Sequence, residues 1–297
     1  MKRKIIVGSR ESKLAVLQTQ LVMDEIARNN PDIQLELVTM KTTGDVILDK
    51  TLDKIGGKGL FVKELDKALM DKRVDITIHS LKDLPMEENP KLPLLAFSER
   101  ANPYDVLVLP EGEKEIDLSK PIGSSSARRV LQLEEIYGDF ESKSVRGNVI
   151  TRLAKLDRGE YGSLILAHAG LTRVGLGNRI TKVFTHNEMI PSAGQGILVI
   201  QGRANEDYSF LESVDSAKSR AEAEAEREFV RVLDGGCSSP IGAFSMANME
   251  DEIIEIFGLY YDEVNKVGVK GSVKGPLKDR LKLASGLAIK LKESKND

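Results

Sequence analysis

Cysteine is almost missing: the 297 residues contain one, Cys237. A single thiol excludes an intrachain disulfide framework and any cysteine-rich zinc site. Histidine is nearly as scarce. His79, His168 and His186 stand far apart with no metal-ligand spacing, so no metal is expected. None of them is marked as the base of a cysteine hydrolase, although such partners meet in space rather than in sequence. Net charge is small, since 43 basic residues face 46 acidic ones and leave −3. That balance gives no support to nucleic-acid binding through bulk charge, and any anion site must be a local cluster. Long apolar runs are absent as well. The opening Met1-Lys2-Arg3-Lys4-Ile5-Ile6-Val7 stays apolar for only three residues before Gly8, too few for a signal-peptide core. No stretch approaches the length of a membrane span. The expectation is a soluble cytoplasmic protein that binds neither nucleic acid nor membrane. The dinucleotide fingerprint G-x-G-x-x-G is missing after the first strand. Gly56-Gly57-Lys58-Gly59 lacks the spacing of a phosphate loop, with Gly59 where Ser or Thr belongs.

What is present is ordinary in bulk, 41% apolar and 30% charged, at a length that suggests two or three domains. Residues 4–7 read as a strand, followed by Gly8-Ser9-Arg10-Glu11-Ser12. A helix with Leu14, Leu17, Leu21 and Ile26 comes next, then a strand with Ile33, Leu35 and Leu37 alternating. Strand–helix–strand at this spacing is a βαβ unit with parallel pairing. The glycine-rich 56–59 segment reads as a lid before a helix over 60–70. Residues 74–80 alternate as a strand that runs into Leu81-Lys82-Asp83-Leu84-Pro85. In parallel sheets ligands bind beyond the carboxyl ends of strands, where Lys82 and Asp83 fall. An exposed surface ion pair is the plainer reading of those two residues.

A second lobe repeats the opening. After a crossing strand at 105–109, Pro121-Ile122-Gly123-Ser124-Ser125-Ser126 leads into a helix over 127–136 that carries Arg128 and Arg129. Helix N-termini attract anions, and a guanidinium can grip a carboxylate through two nitrogens. Arg146-Gly147-Asn148 ends a strand at 143–145, Arg152 lies on a helix over 149–156, and Arg173 follows a strand at 163–167. Arg10, Arg128, Arg129, Arg146, Arg152 and Arg173 thus all fall at or near βα junctions. Any one of them could be merely solubilising, but six at one class of position point to a cleft for a polyanion. Ile190-Pro191-Ser192-Ala193-Gly194-Gln195-Gly196 and the apolar 197–200 read as the return to the first lobe.

The third region begins with a helix over 216–233 that places Ala221, Ala225, Phe229, Val232 and Leu233 near one face. Gly235 and Gly236 read as its C-terminal caps. Strands at 241–246, 252–261 and 267–273 and a helix over 277–291 complete a small α+β domain. Cys237 follows the glycines in Asp234-Gly235-Gly236-Cys237-Ser238-Ser239-Pro240. Taken alone it is a small buried hydrophobe. As a reactive thiol it would need cations from elsewhere, because a helix C-terminus disfavours a thiolate.

In combination these motifs resemble the porphobilinogen deaminase (hydroxymethylbilane synthase) family from Ile5 to beyond Gly242. The resemblance is carried by Gly8-Ser9-Arg10-Glu11-Ser12, Gly44-Asp45, the run from Gly56 to Glu64, and His79-Ser80-Leu81-Lys82-Asp83-Leu84-Pro85. It continues through the run from Gly123 to Arg129, Arg146-Gly147-Asn148, Gly194-Gln195-Gly196 and Gly235-Gly236-Cys237. It implies an α/β fold of two related periplasmic-binding-protein-like lobes, residues 1–100 with 197–215 and residues 101–196. An α+β domain, residues 216–297, carries the cysteine loop. It also implies a transferase of haem and porphyrin biosynthesis that polymerises four porphobilinogens head to tail. Ammonia leaves at each addition and the linear tetrapyrrole hydroxymethylbilane is the product. The primer would be a dipyrromethane cofactor held through a thioether to Cys237, in an enzyme expected to be a monomer.

By the same resemblance Asp83 is the catalytic residue, stabilising positive charge at a pyrrole N–H as the amine leaves. Cys237, Lys82, Asp83, Ser124, Ser125, Ser126, Arg128, Arg129, Arg146, Gly147 and Gly236 contact the cofactor. Arg10, Ser12, Gln18, Phe61, Arg146, Arg152, Ala169, Arg173 and Gln195 contact substrate. Three departures stand out. Ser124-Ser125-Ser126-Ala127 replaces Thr-Ser-Ser-Leu, Ser-Ser-Pro follows Cys237 where Gln-Val-Pro is usual, and Gln201 replaces an acidic residue. The rival reading is a non-enzymatic two-lobed carboxylate-binding protein with an inert Cys237, which leaves the Lys82-Asp83 turn unexplained.

Overall fold

The computed structural model describes residues 3–43, 62–235, 240–262 and 266–294. The chain divides into two compact units, Met1–Arg100 with Ile197–Arg220, and Ala101–Gly196 with Ala221–Asp297.

In the first unit, β1 (Arg3–Arg10), α1 (Lys13–Asn29) and β2 (Ile33–Met40) form the expected βαβ unit. The two strands pair in parallel from Arg3 opposite Ile33 to Arg10 opposite Met40. Ser12 starts α1 by accepting a hydrogen bond from the Ala15 N–H at 3.3 Å, which satisfies one of the helix's orphan donors. The buried face of α1 is Gln18, Thr19, Val22, Met23 and Ile26. Leu21, expected on that face, is exposed, because it falls off the stripe that Val22 and Ile26 define. α2 (Lys63–Met70) precedes β3 (Ile76–Ser80), which pairs parallel to β1. β4 (Leu94–Phe97) was not foreseen from the sequence. The full order is β2-β1-β3-β10-β4, and the returning strand β10 (Leu198–Gly202) lies antiparallel to both neighbours.

The second unit repeats this plan. Its strands are β5 (Asp105–Val108), β6 (Ile122–Gly123), β7 (Ser142–Lys143), β8 (Ser163–Ala167) and β9 (Lys182–Val183), the last also unforeseen. They take the order β7-β6-β8-β5-β9, with β6 parallel to β7 and β8, and β5 antiparallel to β8 and β9. In each sheet a parallel trio is therefore extended by one antiparallel strand that comes from the crossover and then by an edge strand. This is the related two-lobed α/β fold that the resemblance implies. Three helices, α3 (Ala127–Tyr137), α4 (Val149–Asp157) and α5 (His168–Arg173), follow β6, β7 and β8. Val108, Leu153, Leu156, Leu164 and Leu166 pack on one face of the sheet, and Leu107, Ile122, Leu133, Ile165 and Phe184 on the other. The equivalent glycines Gly8 and Gly123 end the apolar part of β1 and β6 where a side chain has no room. A Cβ would lie 2.9 Å from Thr77 at the first and 2.8 Å from Tyr161 at the second.

The remainder of the chain is α6 (Ala217–Val232), an antiparallel sheet of β11 (Gly242–Asn248), β12 (Ile253–Asp262) and β13 (Val267–Pro276), and α7 (Arg280–Glu293). Ala221, Ala225, Phe229 and Leu233 are buried as the sequence reading expects, but α6 buries more than that face. Glu222, Glu226 and Arg227 are buried on it as well. The cap also differs from expectation. Asp234, not glycine, takes the left-handed conformation at φ 54°. Its N–H donates to the Arg231 carbonyl, and the Gly235 N–H to the Val230 carbonyl at 3.0 Å, the Schellman pattern. No helix among the described residues is long and apolar enough to cross a membrane.

Candidate active site

In each unit the candidate residues gather at the carboxyl ends of the parallel strands, where an α/β sheet leaves backbone groups and helix starts available to a ligand. In the first unit, β1 ends on Arg10 and β3 on Ser80. Arg10 is thus the last residue of a strand, two positions before the Ser12 cap, and not part of a helix N-terminus as its counterparts in the second unit are. β3 turns at once into a single 3₁₀ turn, Leu81–Asp83. Leu81 and Leu84 are buried on either side of it, and the Leu81 N–H donates to the Ile197 carbonyl at 3.1 Å. Lys82 is left half-buried and Asp83 exposed. Two buried leucines therefore present an aspartate to solvent on a short, anchored turn. Gln18, buried on α1, accepts from the Ser80 hydroxyl at 3.2 Å and joins the helix to the root of that turn.

In the second unit, Ser124, Ser125 and Ser126 connect β6 to α3. Ser125 Oγ donates to the Val145 carbonyl at 2.7 Å and accepts from the Val145 N–H at 3.0 Å, which ties this turn to the one after β7. The Ser126 N–H donates to Ser124 Oγ at 3.3 Å. Arg146 and Arg152 are half-buried. Arg152 Nε donates to the Gly147 carbonyl at 2.8 Å, and Gly147 adopts φ 110°, a backbone that side chains disfavour. Asn148 caps α4 by accepting from the Thr151 N–H at 2.9 Å. Ala169 is buried in the first turn of α5. Arg173 lies at the other end of that helix, where its Nη2 donates to the Gly196 carbonyl at 2.7 Å, and burial lowers its pKa to about 10.

Arg128, Arg129 and Gln195 converge on a residue that the sequence reading passed over. Asp105, at the start of β5, is fully buried. Its Oδ2 meets Arg128 Nη2 at 2.8 Å. Its Oδ1 accepts from Arg129 Nε and Nη2 at 3.0 and 2.7 Å and from Gln195 Nε2 at 2.9 Å. Burial pushes the Asp105 carboxyl up, but the two guanidiniums and these hydrogen bonds outweigh it and hold the pKa well below the usual carboxylate range. Only its place one residue before an apolar strand segment could have drawn attention to Asp105.

His79 was set aside in the sequence and proves to be buried within β3. Its Nε2 lies 2.9 Å from Thr77 Oγ1. Burial first, and the Arg10 charge second, lower its pKa to about 4, against a hydrogen bond with Gln201 that raises it. Gln201, the departure from the family pattern, donates to the Leu92 carbonyl at 3.0 Å. Phe61, Gly236, Cys237, the 44–45 turn and the 56–59 glycines lie outside the described residues.

The family sequence model described as "Porphobilinogen deaminase, dipyromethane cofactor binding domain" matches residues 5–210, and "Porphobilinogen deaminase, C-terminal domain" matches residues 220–293. The porphobilinogen deaminase of Acetivibrio thermocellus is 55% identical over 264 residues, covering 89% of this chain and 90% of that protein. Those of Ruminiclostridium cellulolyticum and Alkaliphilus oremlandii are 51% and 52% identical over 289 residues. Each alignment spans 97% of this chain, with 98% and 97% of the respective relative.

Proposed function

The chain belongs to the porphobilinogen deaminase family, and from that premise we propose how its own residues divide the work. The protein is a transferase that joins four porphobilinogen molecules head to tail, releases ammonia at each addition, and yields a linear tetrapyrrole. The observation that carries the assignment of roles is the turn that holds Asp83 at the carboxyl edge of the first sheet, on the side where β1 ends in Arg10.

Porphobilinogen carries an acetate and a propionate, so the growing chain is a polyanion. In this reading Arg10, Arg146, Arg152 and Arg173 receive those carboxylates, with Ser12, Gln18, Phe61, Ala169 and Gln195 beside them. Arginine suits this task because its fork matches a carboxylate and its charge survives partial burial. Asp83 faces the pyrrole N–H of the reacting ring. As the amine leaves, positive charge spreads onto that nitrogen and a nearby carboxylate stabilises it. The same carboxylate can manage the proton as the next pyrrole attacks.

The family's cofactor is dipyrromethane. The donor set of the second unit fits a group bearing several carboxylates. At one node, two buried guanidiniums face a single internal carboxylate. Ser124, Ser125, Ser126, Arg128, Arg129, Arg146 and Gly147 would hold the cofactor together with Lys82 and Asp83, and Cys237, next to Gly236, would anchor it through a thioether. When bound, it supplies the pyrrole end to which the first substrate unit is joined. We read residues 1–100 with 197–215, 101–196 and 216–297 as three domains, of which the last brings the cysteine loop. A cytoplasmic monomer without nucleic-acid partners fits the single cysteine and the balanced charge.

Intact mass of the purified protein beside a Cys237→Ala variant tests the reading. A surplus equal to two linked pyrrole units is expected on the wild type and not on the variant. Wild-type protein that stays unmodified after incubation with porphobilinogen would overturn it in favour of a carboxylate-binding protein.

A further inference from the structure

We propose that Asp105 is the positioning residue of the second unit's carboxylate-binding site, acting on the carboxylates of cofactor and substrate only through Arg128, Arg129 and Gln195. The inference rests on the deaminase reading above. Arg128 and Arg129 are neighbours on α3, and successive helical positions diverge by about 100°. Nothing in the helix itself would bring their guanidiniums together, and in a buried setting two like charges repel. They nevertheless meet, because one carboxylate stands between them with an oxygen turned to each. Backbone carbonyls fix the far sides. Arg128 Nη1 donates to Ile190 O at 2.6 Å and Arg129 Nη1 to Ile165 O at 3.0 Å. Gln195 completes the node, with Nε2 donating to Asp105 and to the Pro103 carbonyl at 2.6 Å.

The charge count gives the node its function. Two guanidiniums and one carboxylate leave one positive charge in excess, buried at the start of a helix. Such a surplus favours an incoming carboxylate, and the orientation it meets is set in advance by acceptors that do not move with the ligand. Asp105 thus does two things at once: it keeps the pair of arginines together, and it leaves their sum positive. A larger internal acid count would cancel the attraction, and none at all would let the guanidiniums part.

The test is a double-mutant cycle of Asp105→Asn, Arg129→Gln and the combined variant. Each protein is produced in cells that cannot make porphobilinogen, then supplied with it. Acquisition of covalent pyrrole is followed by intact mass, and KM and kcat are measured separately. Asparagine keeps an oxygen to accept from Arg129 but removes the charge. Asp105→Asn should slow adduct formation and raise KM about tenfold or more, as expected when a binding group is misplaced by a fraction of an ångström. The combined variant should lose less than the sum of the two single losses, because part of what Asp105 does passes through Arg129. A less heat-stable Asp105→Asn with wild-type adduct formation and KM would overturn the proposal and leave Asp105 a structural counter-ion. So would strictly additive losses in the cycle. If Asp105→Asn does not fold, Asp105→Glu, which keeps the charge but displaces the carboxylate by one methylene, is read by the same measurements. A raised KM there supports the proposal and a wild-type KM overturns it. Wild-type protein run in parallel separates the two readings: if it too acquires no pyrrole, the deaminase assignment has failed and not the role of Asp105.

Discussion

Glu226 accepts a hydrogen bond from the Gly194 N–H at 2.7 Å, although 32 residues separate them. Its other oxygen accepts from the N–H and the hydroxyl of Ser245, at 2.7 and 3.0 Å. A fully buried carboxylate on α6 thereby joins the Gly-Gln-Gly loop to β11 inside one unit. Both oxygens are needed as acceptors. Glu226→Gln would turn an amide NH₂ toward a backbone donor, and should destabilise the protein by about 1–3 kcal/mol. Urea unfolding measures this, and an unchanged midpoint would show that the strut carries little.

Asp83 is exposed on a turn whose stability comes from Leu81 and Leu84. Asp83→Asn should therefore leave the thermal midpoint at the wild-type value while turnover falls by about 100-fold or more, the size seen when a charge-stabilising group is removed. Loss of activity together with loss of fold, or activity close to wild type, would each contradict the catalytic role.

His79 makes stability depend on pH in a defined window. Its folded pKa of about 4 lies below the ordinary value of 6.5. Between these values the unfolded chain takes up a proton that the folded protein refuses, so stability falls as pH drops from about 6.5 toward about 4. The difference between the two values corresponds to at most about 3–4 kcal/mol. His79→Gln should flatten the thermal midpoint across that window, and a slope equal to wild type would refute the account. Asp105 acts lower. Its depressed pKa stabilises the fold above the ordinary carboxylate range and is lost only as pH falls beneath it.

The two residues that close α6 should respond oppositely to substitution. Asp234 holds a left-handed backbone at φ 54°, which glycine adopts without strain, so Asp234→Gly should stabilise by about 0.5–1 kcal/mol. Gly235 is there for space. A Cβ would lie 2.6 Å from Ile241 and 2.9 Å from Val230, so Gly235→Ala should destabilise. Thermal midpoints of the two variants decide it, and shifts of the same sign would refute the assignment.

The alternation of 33–37 and 74–80, the apolar run of 163–167 and the repeated Gly-Ser openings were enough to place most elements and both crossovers, because each is a local pattern. α5 and the strands β4 and β9 escaped because they are too short to show a period. The strand expected at 143–145 is Ser142–Lys143, one residue earlier and shorter. For the site, the turn carrying Asp83 and the βα-junction arginines were legible as residue types at strand ends. What those arginines contact was not. Arg128 and Arg129 were expected to meet a ligand's carboxylates, and the structure adds that both meet Asp105.

By itself the sequence determined the family, the two-lobed order of elements and the catalytic chemistry on offer, because motifs and periodicity are properties of neighbouring residues. Only the tertiary structure decided what Asp105, His79 and Glu226 do. A carboxylate in a helix or at a strand end reads as solvated until chain segments distant in sequence bury it, and burial is what turns its charge from a surface detail into an organising force.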